Sequence, residues 1–429
     1  MEEVKIGLLG FGTVGKGVYE LIKKNQDLIQ KRTGIKLSIK KALVRDPQKH
    51  KGYPEELFTT EPDEVFKDPE INIVCELIGG EHPAKEYILK ALELGKEVIT
   101  ANKAVLAKWG DEVWGTADKL GRFLGFEASV GGGIPIIKTL KEALIGNDIT
   151  SIIGIINGTT NYILTRMLEE NLSFEKALNE AKEKGYAEAD PTLDINGMDS
   201  AHKIAILASL AFGFFIPVEK VYVEGIENVS VLDLMFAKDF GYIIKLLAFA
   251  IKGENEVEVR VHPTLIPENH VLASIRLNYN ALYITGNFVG EVLLYGLGAG
   301  KEPTASAVVG DIIDAVEHRL FKKTSFIKYP LTKKDNFYKI KPMDEVESKY
   351  YFRFSAIDRP GVLSKISGVL GEHQISIASV VQIGRQKPGE SVPIVMLTHE
   401  TKEKNVKLAF KEIEKLDVVT DKPIKLRIL

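Results

Sequence analysis

The chain opens with an apolar run that leads directly into a glycine-rich turn, and this order constrains the fold more than any other feature. Residues 4–9 (VKIGLL) have the composition of a buried strand, and GFGTVG follows at residues 10–15. Gly10, Gly12 and Gly15 have the G-x-G-x-x-G spacing, and a helical segment comes next. The first glycine permits a tight turn, the second lets the backbone approach a pyrophosphate, and the third lets helix and strand pack closely. The pattern therefore predicts dinucleotide binding at a helix N-terminus.

Apolar runs and helical segments alternate from this first strand to about residue 130. The runs are KLSIKKALV, INIVCELIGG, KEVITANK and RFLGFEAS. Strands that alternate with helices of this length predict a parallel, doubly wound sheet. The ligand of such a sheet lies beyond the carboxyl ends of the strands, which is where ELIGG, TANK and EASVGGG fall. Lys103 of TANK is therefore placed for chemistry, although a surface lysine at the start of a helix would have the same pattern.

The end of the second strand carries the residues that would read the ribose of a dinucleotide. Arg45 could pair with the 2′-phosphate of NADP, whereas Asp46 could accept a hydrogen bond from the 2′-hydroxyl of NAD. We expect NADP over NAD on this basis. The alternative is that Arg45 is a surface residue before a turn that contains proline.

Composition excludes several classes of protein. A chain of 429 residues is expected to form two or three domains. The formal net charge of −3, with no basic patch, argues against nucleic acid as a partner. The sequence shows no signal peptide and no apolar run long enough to span a membrane. The single cysteine, Cys75, cannot form an internal disulfide, so a reducing, cytoplasmic location and a buried strand position are expected.

The middle of the chain concentrates acidic side chains before an apolar helix. Residues 185–203 read GYAEADPTLDINGMDSAHK and hold Glu188, Asp190, Asp194, Asp199 and Lys203. Asp199 and Lys203 are four residues apart and share one face of a helix. This arrangement predicts a polar site that binds an amino-bearing molecule and moves a proton. An acidic surface loop with a helix cap is the alternative.

Two further segments accompany this loop. NGTTN at residues 157–161 lies at a strand-to-helix junction, where it could cap the helix or contact a phosphate or amide. Strand-rich runs beyond residue 220 predict a largely antiparallel sheet that could carry subunit contacts. GAGKEPTASAVVGD then starts a helix near Pro303, which we expect to return to the cofactor domain.

Seven motifs in this order resemble the homoserine dehydrogenase family over essentially the whole chain. They are GFGTVG, ELIGG, TANK, FEASVGGGIP, NGTTNYI, GYAEADPTLDINGMDSAHK and GLGAGKEPTASAVVGD. The resemblance implies an NAD(P)-dependent oxidoreductase acting on CH–OH, which interconverts L-aspartate 4-semialdehyde and L-homoserine in the branch that leads to threonine, methionine and isoleucine. No aspartate-kinase domain precedes residue 1, so the monofunctional form is expected. The rival hypotheses are another Rossmann oxidoreductase acting on an amino-acid substrate and a non-enzymatic amino-acid sensor.

The resemblance also implies roles for individual residues. Lys203 matches the catalytic lysine, a general acid/base, and Lys103 matches a second lysine in proton transfer or substrate positioning. The residues implied in substrate binding are Glu188, Asp194, Asp199, Gly158 and Thr159. The residues implied in cofactor binding are Gly10, Phe11, Gly12, Thr13, Val14, Gly15, Arg45, Gly79, Thr100, Asn102, Lys103, Gly300 and Glu302. Leu193 departs from the family, whose loop can carry a second acid there, and this weakens the assignment of Asp194.

A monovalent cation site is implied by the same resemblance. Its residues are Glu127 and the backbones of Val130, Gly132 and Ile134. Carboxylate and carbonyl oxygens suit a hard cation, and Na⁺ is the implied ion. The sequence has no His/Cys cluster with zinc spacing.

The C-terminal segment has a strand and helix order of its own. From about residue 349 the pattern is β-α-β-β-α-β, which is ferredoxin-like. DRPGVL and ISIASVVQ resemble the ACT domain, a sensor of amino acids. The implied effector residues are Asp358, Gly361, Val362, Leu363, Ile377 and Gln382, and threonine is the implied effector. ACT units usually pair, so a homodimer or homotetramer is expected, and a domain used only for dimerisation is the alternative.

The predicted fold class is thus α/β, with three parts: a Rossmann-type parallel sheet domain, an α+β catalytic and dimerisation domain, and a ferredoxin-like ACT domain. The predicted boundaries are 1–135 plus about 303–322 for the dinucleotide-binding domain, 136–302 for the catalytic and dimerisation domain, 323–348 for a linker and 349–429 for the ACT domain.

Overall fold

The structure is a computed structural model that describes residues 2–321, 338–382 and 391–429. Most of the predicted linker and the QKPGE turn lie outside these residues. The described strands are β1 (Glu2–Leu9), β2 (Ile35–Leu43), β3 (Phe58–Thr59), β4 (Ile71–Glu76), β5 (Glu97–Thr100), β6 (Leu124–Gly125), β7 (Ile149–Ile155), β8 (Tyr222–Val223), β9 (Tyr242–Lys252), β10 (Glu256–Pro267), β11 (Tyr279–Gly286), β12 (Gly290–Leu297), β13 (Lys339–Ile340), β14 (Glu347–Ile357), β15 (Ile377–Gln382), β16 (Ser391–Thr398), β17 (Thr401–Lys402) and β18 (Ile424–Ile428).

Up to about residue 130 the α-helices alternate with the strands, as predicted. The described α-helices are α1 (Thr13–Thr33), α2 (Asp63–Phe66), α3 (Ala84–Glu93), α4 (Lys103–Leu120), α5 (Ile136–Lys138), α6 (Gly158–Glu169), α7 (Phe174–Glu183), α8 (Thr192–Ile195), α9 (Met198–Phe212), α10 (Val231–Asp239), α11 (Lys301–Phe321), α12 (Val362–Glu372) and α13 (Glu403–Ile413). A π-helical turn, Thr139–Ala143, continues α5. In the described part of the chain, no helix combines the length and the apolar character that a membrane span requires.

The described residues divide into two compact units. Unit 1 contains residues 2–158, 200–221 and 279–321, and unit 2 contains residues 159–199, 222–278, 338–382 and 391–429. This division does not follow the domain boundaries predicted from the sequence, which stay a prediction.

A six-stranded parallel sheet forms the first part of unit 1. Its strand order is β3-β2-β1-β4-β5-β6. Apolar side chains from both faces of the strands are buried, as expected when helices cover a parallel sheet on both sides. The strand order reverses between β1 and β4, which is the switch point where ligands of such sheets bind. The predicted Rossmann-type sheet is confirmed.

Helix α11 packs against α1 in the core of this sheet domain. Ala305, Val308 and Ile312 of α11 belong to the same buried apolar cluster as Val18 of α1. Gly17 makes the close approach possible, because a Cβ at this position would lie 2.8 Å from the Lys301 carbonyl oxygen. The helix predicted near Pro303 therefore returns to the parallel sheet.

Unit 1 also contains three antiparallel strands in the order β12-β11-β7. Two predicted strands differ from the observed structure. RFLGFEAS is a strand only at β6, because Asp311 accepts the Glu127 N–H and the chain turns into a 3-10 helix there. The HVLAS segment of unit 2, which is part of the strand-rich runs predicted beyond residue 220, is also a 3-10 helix, and the His270 side chain caps it.

Unit 2 joins a long hairpin to the C-terminal fold. Strands β9 and β10 pair antiparallel, and β10 pairs in parallel with β18. The C-terminal strands have the order β18-β14-β16-β15, with α12 and α13 in the connections. Their buried apolar cluster includes Phe352, Ile366, Met396 and Val406. The predicted ferredoxin-like domain is confirmed.

Replacing Gly17 by Val should lower the free energy of unfolding by about 1–3 kcal/mol, because the added side chain overpacks the contact with α11. Lys24→Val places the same residue at an exposed position of α1 and controls for helix propensity. Urea denaturation of both variants makes the comparison. If both variants lose the same free energy of unfolding, the close approach of α1 and α11 contributes little to stability.

Candidate active site

The glycine turn after β1 has the shape that a dinucleotide requires. A Cβ on Gly10 would lie 2.8 Å from the Leu77 carbonyl oxygen, and one on Gly15 would lie 2.5 Å from the Gly10 carbonyl oxygen. A Cβ on Gly12 would have no neighbour within 4 Å. Gly10 and Gly15 are thus required by packing, whereas Gly12 leaves open space before the first N–H groups of α1. The residues present fit a pyrophosphate at this turn.

The residues between these glycines differ in exposure. Thr13 is exposed and Val14 is half-buried, so both can face a ligand. The Phe11 ring is buried and packs edge-on against Tyr53 and Phe58 at centroid distances of 5.0 and 5.1 Å. The predicted contact of Phe11 with the cofactor can therefore come only from its backbone.

A hydrogen-bond chain ties the ends of β4 and β5 together. Thr100 donates to Glu76 Oε2 at 2.7 Å and accepts from the Asn102 N–H at 3.0 Å. The Asn102 side chain donates to the Gly80 carbonyl oxygen at 2.7 Å and caps α4 by accepting from Val105. The structure thus brings ELIGG and TANK together, and Lys103 is the first, half-buried residue of α4.

Glu76 belongs to this hydrogen-bond chain but was not predicted as a site residue. It is fully buried, and burial raises the pKa of its carboxyl group, against the effect of its hydrogen bonds. The signal was an acid inside the apolar run NIVCELI, because a buried carboxyl group must find partners.

The other predicted cofactor residues of unit 1 lie on loops and helix starts. Arg45 is exposed just after β2, and Asp46 accepts a hydrogen bond from the Gln48 N–H at 3.0 Å. Gly79 has a φ of +79° and open space at its Cβ position. Gly300, with a φ of +121°, precedes α11, whose second residue Glu302 is exposed.

Lys203 lies in unit 1 beside the NGTTN junction. Its Nζ donates a hydrogen bond of 2.7 Å to the Ile156 carbonyl oxygen, one residue after β7, and the side chain is only 7% exposed. Ile156 precedes Asn157 and Gly158, so the lysine adjoins the start of α6. Within unit 1, the Lys203 side chain is therefore bonded to the residue that precedes Asn157 and Gly158.

The predicted substrate acids belong to unit 2. Glu188 is exposed, Asp194 is half-buried in α8, and Asp199 is buried at the start of α9. Leu193 is 57% exposed, so the position that departs from the family points its side chain to solvent. The Thr159 hydroxyl donates to the Tyr186 carbonyl oxygen at 2.7 Å, which fixes the first turn of α6 to the beginning of the acidic loop.

A buried lysine in unit 2 holds the last asparagine of NGTTN. Lys245 of β9 donates to Asn161 Oδ1 at 2.8 Å and to the Ile275 carbonyl oxygen at 2.6 Å. Burial lowers the pKa of Lys245 to about 7. Lys245 was not predicted as a site residue, although a lysine within the apolar strand YIIKLLAFAI is a visible anomaly.

The predicted cation residues form a buried turn in unit 1. The Glu127 carboxylate accepts hydrogen bonds of 2.8 Å from the Ile137 and Lys138 N–H groups. Val130 and Ile134 are buried, and Gly132 has a φ of +56°. The carboxylate thus caps α5, and the backbone carbonyl oxygens of the turn remain as potential ligands for a cation. Among the residues that the structure describes, no group of three or more His, Cys, Asp or Glu side chains could hold a metal.

The predicted effector residues come together in unit 2. Gly361, with a φ of +89°, precedes α12, which starts at Val362, and the next residue Leu363 is exposed. Gln382, the last residue of β15, donates to Asp358 Oδ1 at 3.4 Å. The turn and the facing strand, which begins at Ile377, are therefore neighbours.

Substituting Gly12 by Ala should weaken dinucleotide binding by about tenfold or more, because the methyl group occupies the open space over the turn. Stability should change little, since the φ of −77° suits alanine. The measurement is a fluorescence titration with NADPH and NADH. Gly146→Ala, at another glycine with open space, is the control, and equal affinities of both variants would contradict the assigned turn.

Replacing Lys245 by Met should change how stability depends on pH. The pKa of Lys245 is about 7 in the folded state and about 10.4 when unfolded, so burial of this lysine costs free energy below pH 7 and the cost fades as pH rises to 10. The free energy of unfolding of the wild type, minus that of the variant, should therefore increase by roughly 1 kcal/mol per pH unit over this window. Urea denaturation from pH 7 to 10 measures it. The exposed Lys238→Met controls for loss of charge, and parallel profiles of wild type and K245M would refute the prediction.

Family models match three consecutive parts of the chain. A model described as homoserine dehydrogenase, NAD binding domain, matches residues 10–127, and one described as homoserine dehydrogenase matches residues 135–313. An ACT domain model matches residues 350–418.

Individual relatives are similar over the full length. A homoserine dehydrogenase from Synechocystis is 42% identical over 432 residues, which cover 99% of each chain. The crystal structure of a homoserine dehydrogenase from Thiobacillus denitrificans has a TM-score of 0.93 at 44% identity and covers 100% of this chain and 99% of that chain. A hyperthermophilic archaeal homoserine dehydrogenase in complex with NADPH has a TM-score of 0.63 at 29% identity and covers 73% of this chain and 98% of that chain. The chain belongs to the homoserine dehydrogenase family of oxidoreductases, with an NAD-binding domain and a C-terminal ACT domain.

Proposed function

We propose that this chain interconverts L-aspartate 4-semialdehyde and L-homoserine, with Lys203 as the proton donor and acceptor at the substrate oxygen. The observation that carries the proposal is the buried Lys203 side chain at the end of β7, whose Nζ donates a hydrogen bond of 2.7 Å to the Ile156 carbonyl oxygen. When bound, the nicotinamide cofactor supplies or accepts the hydride. The protein must orient the substrate and manage the accompanying proton, and a lysine can protonate the alkoxide that aldehyde reduction leaves.

Acidic side chains hold the amino group of the substrate in this proposal. Glu188, Asp194 and Asp199 supply the carboxylates, and Gly158 and Thr159 supply polar contacts at the start of α6. Support comes from the position of Asp199 four residues before Lys203 on α9 and from the hydrogen bond between Thr159 and the acidic loop. Lys103 assists in proton transfer or substrate positioning, since it begins α4 beyond the end of β5.

The preferred cofactor is NADP. Arg45 is exposed after β2, whereas Asp46 is engaged in a hydrogen bond with a neighbouring N–H. A guanidinium group can form a charge-assisted, bidentate contact with the 2′-phosphate of NADP. The 2′-hydroxyl of NAD carries no charge and cannot form this contact. The structure of the archaeal relative in complex with NADPH is consistent with this proposal.

A monovalent cation, Na⁺, binds at the turn formed by Glu127, Val130, Gly132 and Ile134. The buried position of the turn and its backbone carbonyls support the proposal, since oxygen donors suit this ion. The Glu127 carboxylate would orient α5 through its two N–H contacts while the carbonyls bind the ion.

Threonine binds at the ACT domain as a feedback effector, at the turn of Asp358 to Leu363 and the strand that ends at Gln382. The hydrogen bond between Asp358 and Gln382 supports this site.

The active form is a homodimer or homotetramer, and support comes from exposed apolar side chains in and beside β12, notably Phe288, which is 89% exposed. We place the protein in the cytoplasm because its single cysteine is a free, buried thiol.

Lys203→Met should lower kcat for homoserine oxidation by about 10²–10⁴-fold, because the general acid/base is lost. Affinity for the cofactor should change little, since the glycine turn is intact. The assay follows cofactor absorbance with homoserine and with the semialdehyde, using NADP and NAD in parallel, with and without threonine. Higher kcat/KM with NADP and inhibition by threonine are the expected results.

Lys220→Ala, at an exposed lysine of the same unit, is the matched control and should retain wild-type kcat. Circular dichroism establishes that both variants are folded. A Lys203→Met enzyme with kcat within a few fold of the wild type would disprove the role of Lys203. Equal kcat/KM with both cofactors would remove Arg45 from cofactor selection.

A further inference from the structure

We propose that Glu224 and Arg427 are positioning residues for the acidic substrate loop, so that the last strand of the ACT domain sets the geometry of Asp194. The inference rests on the proposed function, in which Asp194 contacts the substrate. Asp194, Arg427 and the segment Tyr222–Ile226 all belong to unit 2. Neither residue touches the substrate in this proposal, and both act through the backbone of the segment Tyr222–Ile226.

The acidic loop is bonded to this segment by its backbone. Ile195, which follows Asp194 at the end of α8, accepts a hydrogen bond of 2.9 Å from the Ile226 N–H. Gly225 lies against the same place, because a Cβ there would come within 2.6 Å of the Asn196 Cα. The segment therefore supports the loop directly behind the substrate acid.

Gly197 provides a second contact between the loop and the segment. Its φ is +87°, and a Cβ at this position would lie 3.0 Å from Val223 Cγ1 and 3.2 Å from the Glu224 carbonyl oxygen. On its other side the segment is fixed to β10, since β8 pairs with it and the Glu224 N–H donates to the Val261 carbonyl oxygen at 2.8 Å. A shift of Glu224 would thus move the loop.

The side chain of Glu224 is held by the C-terminal strand. Arg427 of β18 donates to Glu224 Oε2 at 2.8 Å and to Glu224 Oε1 at 3.1 Å, a bidentate pair. The Tyr222 hydroxyl donates to the same carboxylate. Burial opposes ionisation of Glu224, but the hydrogen bonds and charge of Arg427 hold the pKa of its carboxyl group below the ordinary value. Planar bidentate pairing fixes orientation as well as distance.

Arg427 is fixed in turn by the ACT domain. It is 1% exposed and donates from Nε to Glu403 Oε2 of α13 at 2.9 Å. Glu403 also accepts from Tyr350 of β14 at 2.7 Å and from Lys425 of β18 at 2.5 Å. The guanidinium group therefore joins two carboxylates, one in the ACT domain and one behind the acidic loop.

Changing Glu224 to Gln tests the proposal with the full-length enzyme, because the amide keeps the shape and loses the charge that pairs with Arg427. We expect KM for homoserine to rise about tenfold, because a small displacement of a substrate-binding group is costly. KM for NADP should stay within twofold, and kcat should fall less than KM rises. Hydrogen exchange at residues 190–197 should become faster in the variant.

The matched control is Glu258→Gln, which breaks another carboxylate–arginine pair of unit 2, with Arg260 at 3.3 Å, without contact to the acidic loop in the bonds described above. A thermal melt of both variants separates general destabilisation from the specific effect. If KM for homoserine changes equally in both variants, the positioning role is refuted.

Two further variants complete the test. Asp194→Asn tests the substrate contact itself, and an unchanged KM for homoserine in this variant would refute the assignment of Asp194. If KM for homoserine rises in Asp194→Asn but not in Glu224→Gln, only the positioning role is refuted. The double variant Glu224→Gln with Arg427→Lys should raise KM for homoserine no further than Glu224→Gln alone, since residues that act through one contact are not additive. Fully additive effects would count against a shared pathway.

Discussion

The close approach of the ends of β1 and β4 is the constraint on which the cofactor-binding part of the structure depends. Gly10, with a φ of +103°, leaves only 2.8 Å between its Cβ position and the Leu77 carbonyl oxygen, and the Leu77 N–H donates to the Leu9 carbonyl oxygen. Because β1 and β4 are parallel, the loops that follow them lie at the same edge of the sheet. The hydrogen-bond chain from Glu76 to Asn102 then extends this edge to β5.

Local sequence patterns predict this part of the fold well because each of its requirements is met by a few neighbouring residues. The glycine spacing, the helix that follows and the burial of Cys75 in β4 are all such features. The same holds for the ferredoxin-like order from β14 to β18. The turn at Glu127–Ser129 was missed because its cause, Asp311, lies 184 residues away in the sequence.

The polar contacts that support the candidate site are mostly long-range, and a single sequence does not reveal them. Lys245 meets Asn161 across 84 residues, and Arg427 meets Glu224 across 203. Their sequence signal is only a charged residue within an apolar strand. Such a residue must be paired when buried, but the sequence does not say with which partner. Burial itself, rather than the identity of the partner, was therefore predictable at these positions.

The buried Arg427 contributes more to the register of β18 on β10 than to stability. A buried ion pair is a weak source of stability, because desolvation offsets the attraction and an apolar replacement of similar volume is often as stable. The short parallel contact of β18 with β10, Thr264 with Arg427 and Leu265 with Ile428, could in principle slip by two residues and keep its apolar face. A slip would withdraw the guanidinium group from both Glu224 and Glu403, and each carboxylate would lose its arginine partner. The charged pair thus favours one alignment of the ACT strand on the neighbouring sheet, and that alignment fixes the segment behind Asp194.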